Sequence, residues 1–199
     1  MDFSSLSEAE IWSLIQSGHQ KAFAYMYSTY SKDLYKYGHK FTQDTQLIED
    51  VIQDLFVQIW GMRENIQIKK STKFYLLASF RRELIKRLKT SRKNESLDEI
   101  HSKLIWETSF QEILEENQII LESRNKISQA LEQIPLRQKE AIYLRYIQEL
   151  SYEEISEIMD VQVPSVYNLI FKGLKMLKKI LSFTRTSTKF TGFLFFFFQ

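Results

Sequence analysis

The chain has 199 residues, 44% of them hydrophobic, with five glycines and two prolines. This composition allows one large or two small cored domains and argues against sheets with many tight turns. The net charge is only +2 and cysteine is absent, so total charge does not indicate nucleic acid, and disulfides and thiolate metal sites are excluded. The N-terminal segment lacks the apolar core of a secretory signal, and no apolar run approaches the roughly 20 residues that span a bilayer; we expect a cytoplasmic protein.

Three amphipathic helices are predicted before the first strongly charged segment. The first runs from Glu8 to Gln16, and the second covers Gln20 to Phe41, with Gly38 weakening its pattern slightly. Apolar and aromatic residues recur through the second at helical steps, which predicts a stripe facing a core. The members of this stripe are Phe23, Met26, Tyr27, Tyr30, Leu34, Tyr37 and Phe41.

The third helix is predicted from Thr45 to Gly61, with Asp44 or Thr45 as its N-cap. One side is broad and apolar, and the other is acidic and polar. The apolar side consists of Ile48, Val51, Ile52, Leu55, Phe56 and Ile59, and the opposite side of Glu49, Asp50, Gln53, Asp54, Val57 and Gln58. The opposite side is either a solvated acidic face or a docking surface for a basic or polar partner helix, and spacing leaves both open.

The most strongly charged segment runs from Lys69 to Lys93. It holds ten basic residues against one acid, Glu83. Apolar residues recur through it at helical steps, which predicts one basic amphipathic helix with Phe74 and Tyr75 near its start. Such a helix can neutralise phosphates and release their counterions, and the rings could stack on unpaired bases. A membrane surface and a simple solvated face are the alternatives.

An acidic segment follows the basic one. Between Asn94 and Arg124, eight acidic residues stand against two basic ones. We interpret residues 94–125 as an acidic linker between two domains, 7–93 and 126–180. A linker of this charge could shield DNA-binding surfaces in the free protein; replacing its glutamates by glutamine would then tighten DNA binding.

The second domain is predicted to hold four helices. Two of them, from Ile127 to Ile134 and from Arg137 to Gln148, are separated by Pro135. The other two lie between Leu150 and Lys179. Residues 181–199 form a tail that includes six consecutive apolar residues, to which we assign no function.

The last two helices form the most informative local pattern. Ser151 and Glu154 fit a capping box, and Pro164 suits the first turn of a helix after the break at residues 160–162. In the final helix Val166, Ile170, Gly173, Leu174 and Leu177 recur at steps of three and four, whereas Ser165, Asn168, Lys172 and Lys175 lie on other faces. Two short helices, the second basic and polar outside, are typical of a DNA-binding helix-turn-helix. An ordinary helical hairpin is the alternative.

No motif indicates catalysis. The chain has no Gly-rich phosphate loop, HExxH, nucleophile elbow or zinc spacing. His19 and His39 lack partners at ligand spacing, which favours surface or packing roles. We therefore expect no enzymatic activity, cofactor, metal or small-molecule substrate; a nuclease acting through carboxylates and a metal is the rival interpretation.

Several stretches in the same order resemble the sigma-70 family of bacterial RNA polymerase sigma factors. The similarity is to the short extracytoplasmic-function (ECF) group, which keeps only regions 2 and 4, and it covers roughly residues 7–93 and 126–180. Residues 16–38 look like the opening helices of region 2, and IEDVIQDLFVQIW, residues 48–60, resembles its polymerase-docking helix. FYLLASFRRELIKRLK, residues 74–89, stands in the place of the promoter-melting helix. Residues 130–179 are similar to region 4 throughout.

The resemblance implies a fold and a set of contacts. The fold would be all-α, with two small helical domains joined by the acidic linker. Polymerase-binding residues would be Glu49, Asp50, Gln53, Asp54 and Val57. Contacts to the −10 element, held as a melted strand, would come from Lys69, Lys70, Lys73, Phe74, Tyr75, Arg81, Arg82, Lys86 and Arg87; core packing is the alternative for the two aromatics. The −35 element would be read in the major groove by Ser165, Tyr167, Asn168 and Lys172, with phosphates held by Arg137, Arg145 and Lys175.

Partners follow from the same resemblance. They would be core RNA polymerase, promoter DNA as −35 duplex and −10 single strand, and an anti-sigma factor, which in this family is often membrane-bound. A two-domain regulator that binds duplex DNA without polymerase is a further rival, and it would need no docking face on the third helix.

The chain departs from the family pattern at three places. Arg81-Arg82 stands where the family usually has an Arg-Asn pair. The recognition helix has Tyr167 and Leu169 where Lys or Arg is common, and Gly173 where Ala is usual. We expect this glycine to cost the helix up to about 1 kcal/mol.

Overall fold

The computed structural model describes residues 2–91 and 133–183, and every regular element in these ranges is helical, which confirms the predicted all-α class. The chain divides into two compact units, Met1–Ile105 and Trp106–Gln199. The elements of the first are a short 3-10 helix Phe3–Ser5 and helices α1 Glu8–Gln16, α2 Gln20–Gly38, α3 Thr45–Met62 and α4 Thr72–Ser91. Those of the second are α5 Leu136–Tyr146, α6 Tyr152–Met159 and α7 Val163–Phe183.

The helices of the N-terminal unit begin at side-chain caps that the local sequence supplies. Ser7 and Glu10 form a capping box at α1, and the His19 side chain accepts a hydrogen bond from the Ala22 amide at the start of α2. Asp44 accepts from the Leu47 amide at 3.0 Å and caps α3. Each cap satisfies an amide that has no partner inside its helix, which fixes where the helix begins.

The core of this unit forms where α2, α3 and α4 pack together, with α1 against α2. All six apolar residues predicted for α3 are buried. The predicted stripe of α2 is only partly correct. Met26, Leu34 and Tyr37 are buried, but Tyr27 is 45% exposed, and Phe41 is buried beyond the end of the helix.

Gly38 lies where α2 comes closest to its neighbours. A Cβ atom at this position would lie 2.7 Å from Ile48 Cγ2 and 2.9 Å from Phe80 Cζ, which is closer than carbon atoms can approach. The sequence pattern treats this glycine as a weak point in a helix. The structure adds a packing reason to that interpretation, because a side chain here would not fit against α3 and α4.

The C-terminal unit packs α7 against both α5 and α6. The capping box of Ser151 and Glu154 is present, with the Ser151 amide 2.8 Å from a Glu154 carboxylate oxygen. Asp160 ends α6 in the left-handed conformation, with φ of 53°. The chain can then turn within three residues and start α7, so the predicted break at residues 160–162 is confirmed.

Gly173 plays the same part in α7 as Gly38 does in α2. An added Cβ would lie 2.7 Å from Ile142 Cδ1 and 3.2 Å from Gln138 Cβ, both on α5. The cost expected from helix propensity alone therefore does not include the close approach of α5, which the absence of a side chain at Gly173 permits.

Several predicted boundaries shift, among them the end of α2 at Gly38, and several predictions lie outside the described residues. The basic helix begins at Thr72, so Lys69 and Lys70 precede it, and α5 spans Leu136–Tyr146 in place of the predicted Arg137 to Gln148. The acidic linker 94–125, the predicted helix from Ile127 up to residue 132 and the tail from residue 184 are outside the described residues.

Candidate nucleic-acid interface and docking face

Helix α3 presents a continuous outward face, formed by Glu49, Asp50, Gln53, Asp54 and Val57. All five side chains are exposed, and Val57 is 64% exposed. The opposite side of the helix is buried throughout. An apolar side chain this exposed among acids has no packing role within the N-terminal unit, which makes the face suitable for a partner.

The start of α4 is held by two side chains. The Thr72 amide donates to Glu8 of α1 at 2.9 Å, and the Phe74 amide donates to the Ser71 hydroxyl at 3.1 Å. The Glu8 carboxylate also interacts favourably with the positive end of the helix dipole at the N-terminus of α4. The preceding loop is tied down as well, because the Gln16 amide group donates to the Ile66 carbonyl at 3.2 Å. These contacts fix where the cations of α4 lie.

The cations predicted for the −10 element lie in three different environments. Lys69, Lys70, Arg82 and Lys86 are exposed, whereas Lys73 is half-buried. Arg81 is 8% exposed and its guanidinium lies 5.9 Å from the centre of the Phe41 ring, which leaves little of it for a phosphate. Phe74 and Tyr75 are both half-buried, and Lys70 Nζ lies 4.8 Å from the centre of the Phe74 ring.

Arg87 joins the two predicted surfaces of the N-terminal unit. It contacts Asp54 on the outward face of α3 at 2.6 Å and Glu83 on its own helix at 2.9 Å. Lys86 also contacts Glu83, at 3.3 Å. A residue predicted to bind polymerase and one predicted to bind DNA are thus paired with each other.

These contacts shift the acid–base equilibria of the cluster. The hydrogen bond from Arg87, with smaller contributions from Lys86, holds the pKa of Glu83 below its usual value. The hydrogen bonds to Asp54 and then Glu83 raise the pKa of Arg87. Both shifts favour the charged forms of Glu83 and Arg87, so this pair is electrostatically satisfied without DNA.

Helix α7 presents the polar side that was predicted for a recognition helix. Ser165, Asn168, Lys172 and Lys175 are exposed, while Val166, Ile170 and Leu177 are buried against α5 and α6. Within the described part of the chain, no hydrogen bond or ion pair occupies the side chains of Asn168, Lys172 or Lys175. Their donors are available to a ligand.

Tyr167 is held in place by an aromatic stack. Its ring lies parallel to that of Tyr152 on α6, with centroids 3.8 Å apart and planes 12° apart. The Arg145 guanidinium lies 4.9 Å from the centre of the Tyr152 ring and donates to the Leu150 carbonyl at 2.8 Å. Arg145, predicted as a phosphate contact, thus also supports the junction between α6 and α7.

Arg137 and Lys175 differ in exposure, although both were predicted to hold phosphates. Lys175 is exposed, whereas Arg137 is half-buried. The Arg137 Nε atom is buried and has no hydrogen-bond partner among the described residues.

Phe171, which is 63% exposed on α7, was not among the residues predicted to contact DNA. The available signal was its position, since it falls outside the steps of three and four that connect the buried residues of the helix. In the described ranges there is no helix that could cross a membrane and no group of three metal-ligating side chains.

Comparison with known proteins assigns both units. The family model for Sigma-70 region 2 matches residues 26–94, and that for Sigma-70, region 4 matches residues 124–177. The chain is similar to the ECF RNA polymerase sigma factors SigW and SigX of Bacillus subtilis (strain 168). SigW is 25% identical over 171 residues, covering 83% of this chain and 91% of SigW. SigX is 26% identical, covering 83% and 87%.

A solved structure with the same fold is that of the sigma factor RpoE in complex with the anti-sigma factor NepR from Bartonella quintana. Its TM-score is 0.56 at 17% identity, covering 83% of this chain and 99% of that one. The two family models together match most of the chain, in the order of the two units. This chain therefore belongs to the sigma-70 family, in its ECF group, and is a sigma factor whose partners are core RNA polymerase and promoter DNA.

Proposed function

We propose that the outward face of α3 docks the chain on core RNA polymerase, and that the chain acts as a cytoplasmic, non-enzymatic initiation factor. The observation that carries this proposal is the 64% exposure of Val57 among four polar or acidic neighbours on one helix face. A polar or basic partner helix could pair with the acids and cover the valine. Central apolar side chains surrounded by polar ones are typical of the energetic centre of an interface.

Two surfaces then act on DNA. The loop 63–71 and α4 hold the melted −10 strand through the exposed Lys69, Lys70, Arg82 and Lys86, together with the half-buried Lys73. Lys86 gives up its contact with Glu83 in doing so, and Arg81 and Arg87 belong to this set only where DNA displaces their present contacts. Helix α7 reads the −35 element, with Asn168 able to pair with adenine and Lys172 able to reach guanine. Lys175 and the partly exposed Arg137 and Arg145 contact phosphates, which position the protein without specifying sequence.

The docking proposal is tested by a matched pair of substitutions. Val57→Arg places a charge at the centre of the outward face, whereas Ser13→Arg places the same side chain on an exposed position of α1. We expect Val57→Arg to weaken the complex with sigma-free core polymerase at least tenfold, or about 1.4 kcal/mol, and to abolish run-off transcription. Ser13→Arg should behave as the unsubstituted chain. Equal complex formation by the two variants would place the docking face elsewhere.

We also propose that an anti-sigma factor sequesters this chain. Support comes from the shared fold with RpoE, which was solved bound to the anti-sigma factor NepR. The sequestering protein is expected to compete with core polymerase for the chain. The test is affinity capture with the tagged chain, followed by titration of the captured protein against the polymerase complex. Simultaneous binding of both partners would contradict sequestration.

A further inference from the structure

Two large apolar side chains are exposed on the outside of α7. Tyr167 is 51% exposed and Phe171 is 63% exposed. They are four residues apart on one helix, so they lie one turn apart on the same face. Neither ring contributes to the buried side of α7, which Val166, Ile170 and Leu177 form.

The neighbours of Phe171 are the groups expected to face DNA. Asn168 lies three residues before it and Lys175 four residues after it, so both adjoin it on the helix surface. Helix α7 carries four lysines and no acidic residue. This cationic setting favours a polyanion as the molecule that covers the ring.

The aromatic pair is also preorganised. The stack of Tyr167 on Tyr152, supported by Arg145, holds the first ring against α6 before any ligand binds. A side chain that is already fixed loses less conformational entropy on binding. Phe171 follows one turn later on the same rigid helix.

We propose that Phe171, beside Tyr167, contacts the C5-methyl groups of thymines in the major groove and thereby selects thymine within the −35 element. The phenyl ring has no donor or acceptor, and the thymine methyl is the apolar group that a base pair presents in the major groove. This inference rests on the proposed function of α7 as the recognition helix. It adds a specificity determinant to the polar contacts of Asn168 and Lys172.

The test removes only the methyl group. A promoter is first selected from a random duplex library by the complex of the full chain with core polymerase. Each thymine of its −35 segment, on either strand, is then replaced by deoxyuridine. We expect the unsubstituted chain to bind the deoxyuridine promoter roughly fourfold more weakly at one or two positions, which is the effect of losing one buried methyl.

Substitutions of Phe171 should remove this sensitivity. Phe171→Ser is expected to bind the thymine and deoxyuridine promoters equally, whereas Phe171→Leu should retain part of the difference because it keeps an apolar contact. The ring is largely exposed, so neither change should alter thermal unfolding. The matched control is Lys175→Ala, which should weaken both promoters by the same factor.

The outcomes separate this inference from the function on which it rests. If the unsubstituted complex showed no preference for any −35 segment, the reading role of α7 itself would fall. Three outcomes would overturn the thymine contact alone. The selected −35 segment could contain no A·T pairs, or deoxyuridine could bind the unsubstituted chain as well as thymine does. Phe171→Ser could also lose as much affinity for the deoxyuridine promoter as the unsubstituted chain. A Phe171→Ser variant that failed to bind core polymerase without DNA would assign the ring to a protein partner and also overturn it.

Discussion

The two basic helices of this sigma factor, α4 and α7, use their positive charge differently. In α4, Arg81 is buried beside Phe41, and Arg87 is paired with Glu83 and Asp54. In α7, Lys172 and Lys175 are exposed, and within the described residues no ion pair occupies them. The number of basic residues therefore overstates the charge that α4 offers to DNA, whereas in α7 these lysines remain available.

The largest expected effect is on the free energy of unfolding, through the close packing of α4 against α2 and of α7 against α5. A Cβ atom added at Gly38 would meet Phe80 of α4, and one added at Gly173 of α7 would meet Ile142 of α5. We expect Gly38→Ala and Gly173→Ala each to lower the free energy of unfolding by about 1–3 kcal/mol, since overpacking outweighs the helix propensity of alanine. Urea denaturation of the full chain, followed by circular dichroism, measures this.

The matched control is Gly61→Ala in α3, where nothing lies within 4 Å of the added methyl. It should raise the free energy of unfolding by up to about 1 kcal/mol. Stabilisation by all three substitutions would show that neither basic helix depends on a glycine contact.

The second test concerns base reading by α7. Lys172→Ala is expected to weaken binding to the selected −35 duplex by about 1–3 kcal/mol and to relax base preference at one position. Lys175→Ala should weaken selected and random duplexes alike, because phosphate contacts carry no sequence information. Competition binding with both duplexes measures the difference. An identical pattern for the two variants would remove the division of roles.

The third test compares adjacent arginines of α4. Arg81→Ala should lower the free energy of unfolding by about 1–2 kcal/mol through lost packing and its contact with Phe41. Arg82→Ala should change stability by less than about 0.5 kcal/mol. It should instead reduce the salt dependence of −10 strand binding by about 0.7 in slope, the value for one phosphate on a single strand. Binding of the polymerase complex to the −10 strand over a series of salt concentrations measures this slope. A stability loss in Arg82→Ala, with a reduced salt slope in Arg81→Ala, would contradict the observed burial of Arg81.

A smaller effect is expected from the ion pair that joins α3 and α4. A double-mutant cycle of Asp54→Ala and Arg87→Ala should give a coupling of about 0.2–1 kcal/mol, because the pair is partly exposed to solvent. The measurement is the free energy of unfolding of the four chains. A coupling near zero would mean that the Asp54 contact does not hold Arg87 back from DNA, and that only the contact with Glu83 does.

The smallest effect is a pH dependence at Glu83. Its pKa is lowered in the folded chain, chiefly by the hydrogen bond from Arg87, from an ordinary value of 4.5. The resulting stabilisation is present above about pH 4.5 and is lost as the pH falls through the lower folded value. Glu83→Gln should therefore make the loss of stability below pH 4.5 less steep, as followed by thermal unfolding. If Glu83→Gln lost stability below pH 4.5 as steeply as the unsubstituted chain, the Glu83 contacts would contribute nothing to stability.

Much of this protein follows from short stretches of its sequence. The apolar side of α3, the capping box at Ser151 and the turn before α7 depend on residues within a few positions of each other, so periodicity and cap chemistry predict them. The motifs that resemble the polymerase-docking helix and the recognition helix also occur in the family's order, and this was sufficient to indicate the family. The exposure of Val57, Asn168 and Lys172 agrees with those patterns.

Tertiary packing decided the rest, because it brings together residues that are distant in the chain. The burial of Arg81 depends on Phe41, the pairing of Arg87 depends on Asp54, and the need for Gly173 depends on Ile142. None of these partners can be found from the spacing within one helix. A sequence shows which side chains carry charge or lack a Cβ, but only the packed helices determine which charges remain for a ligand and where a missing side chain is required.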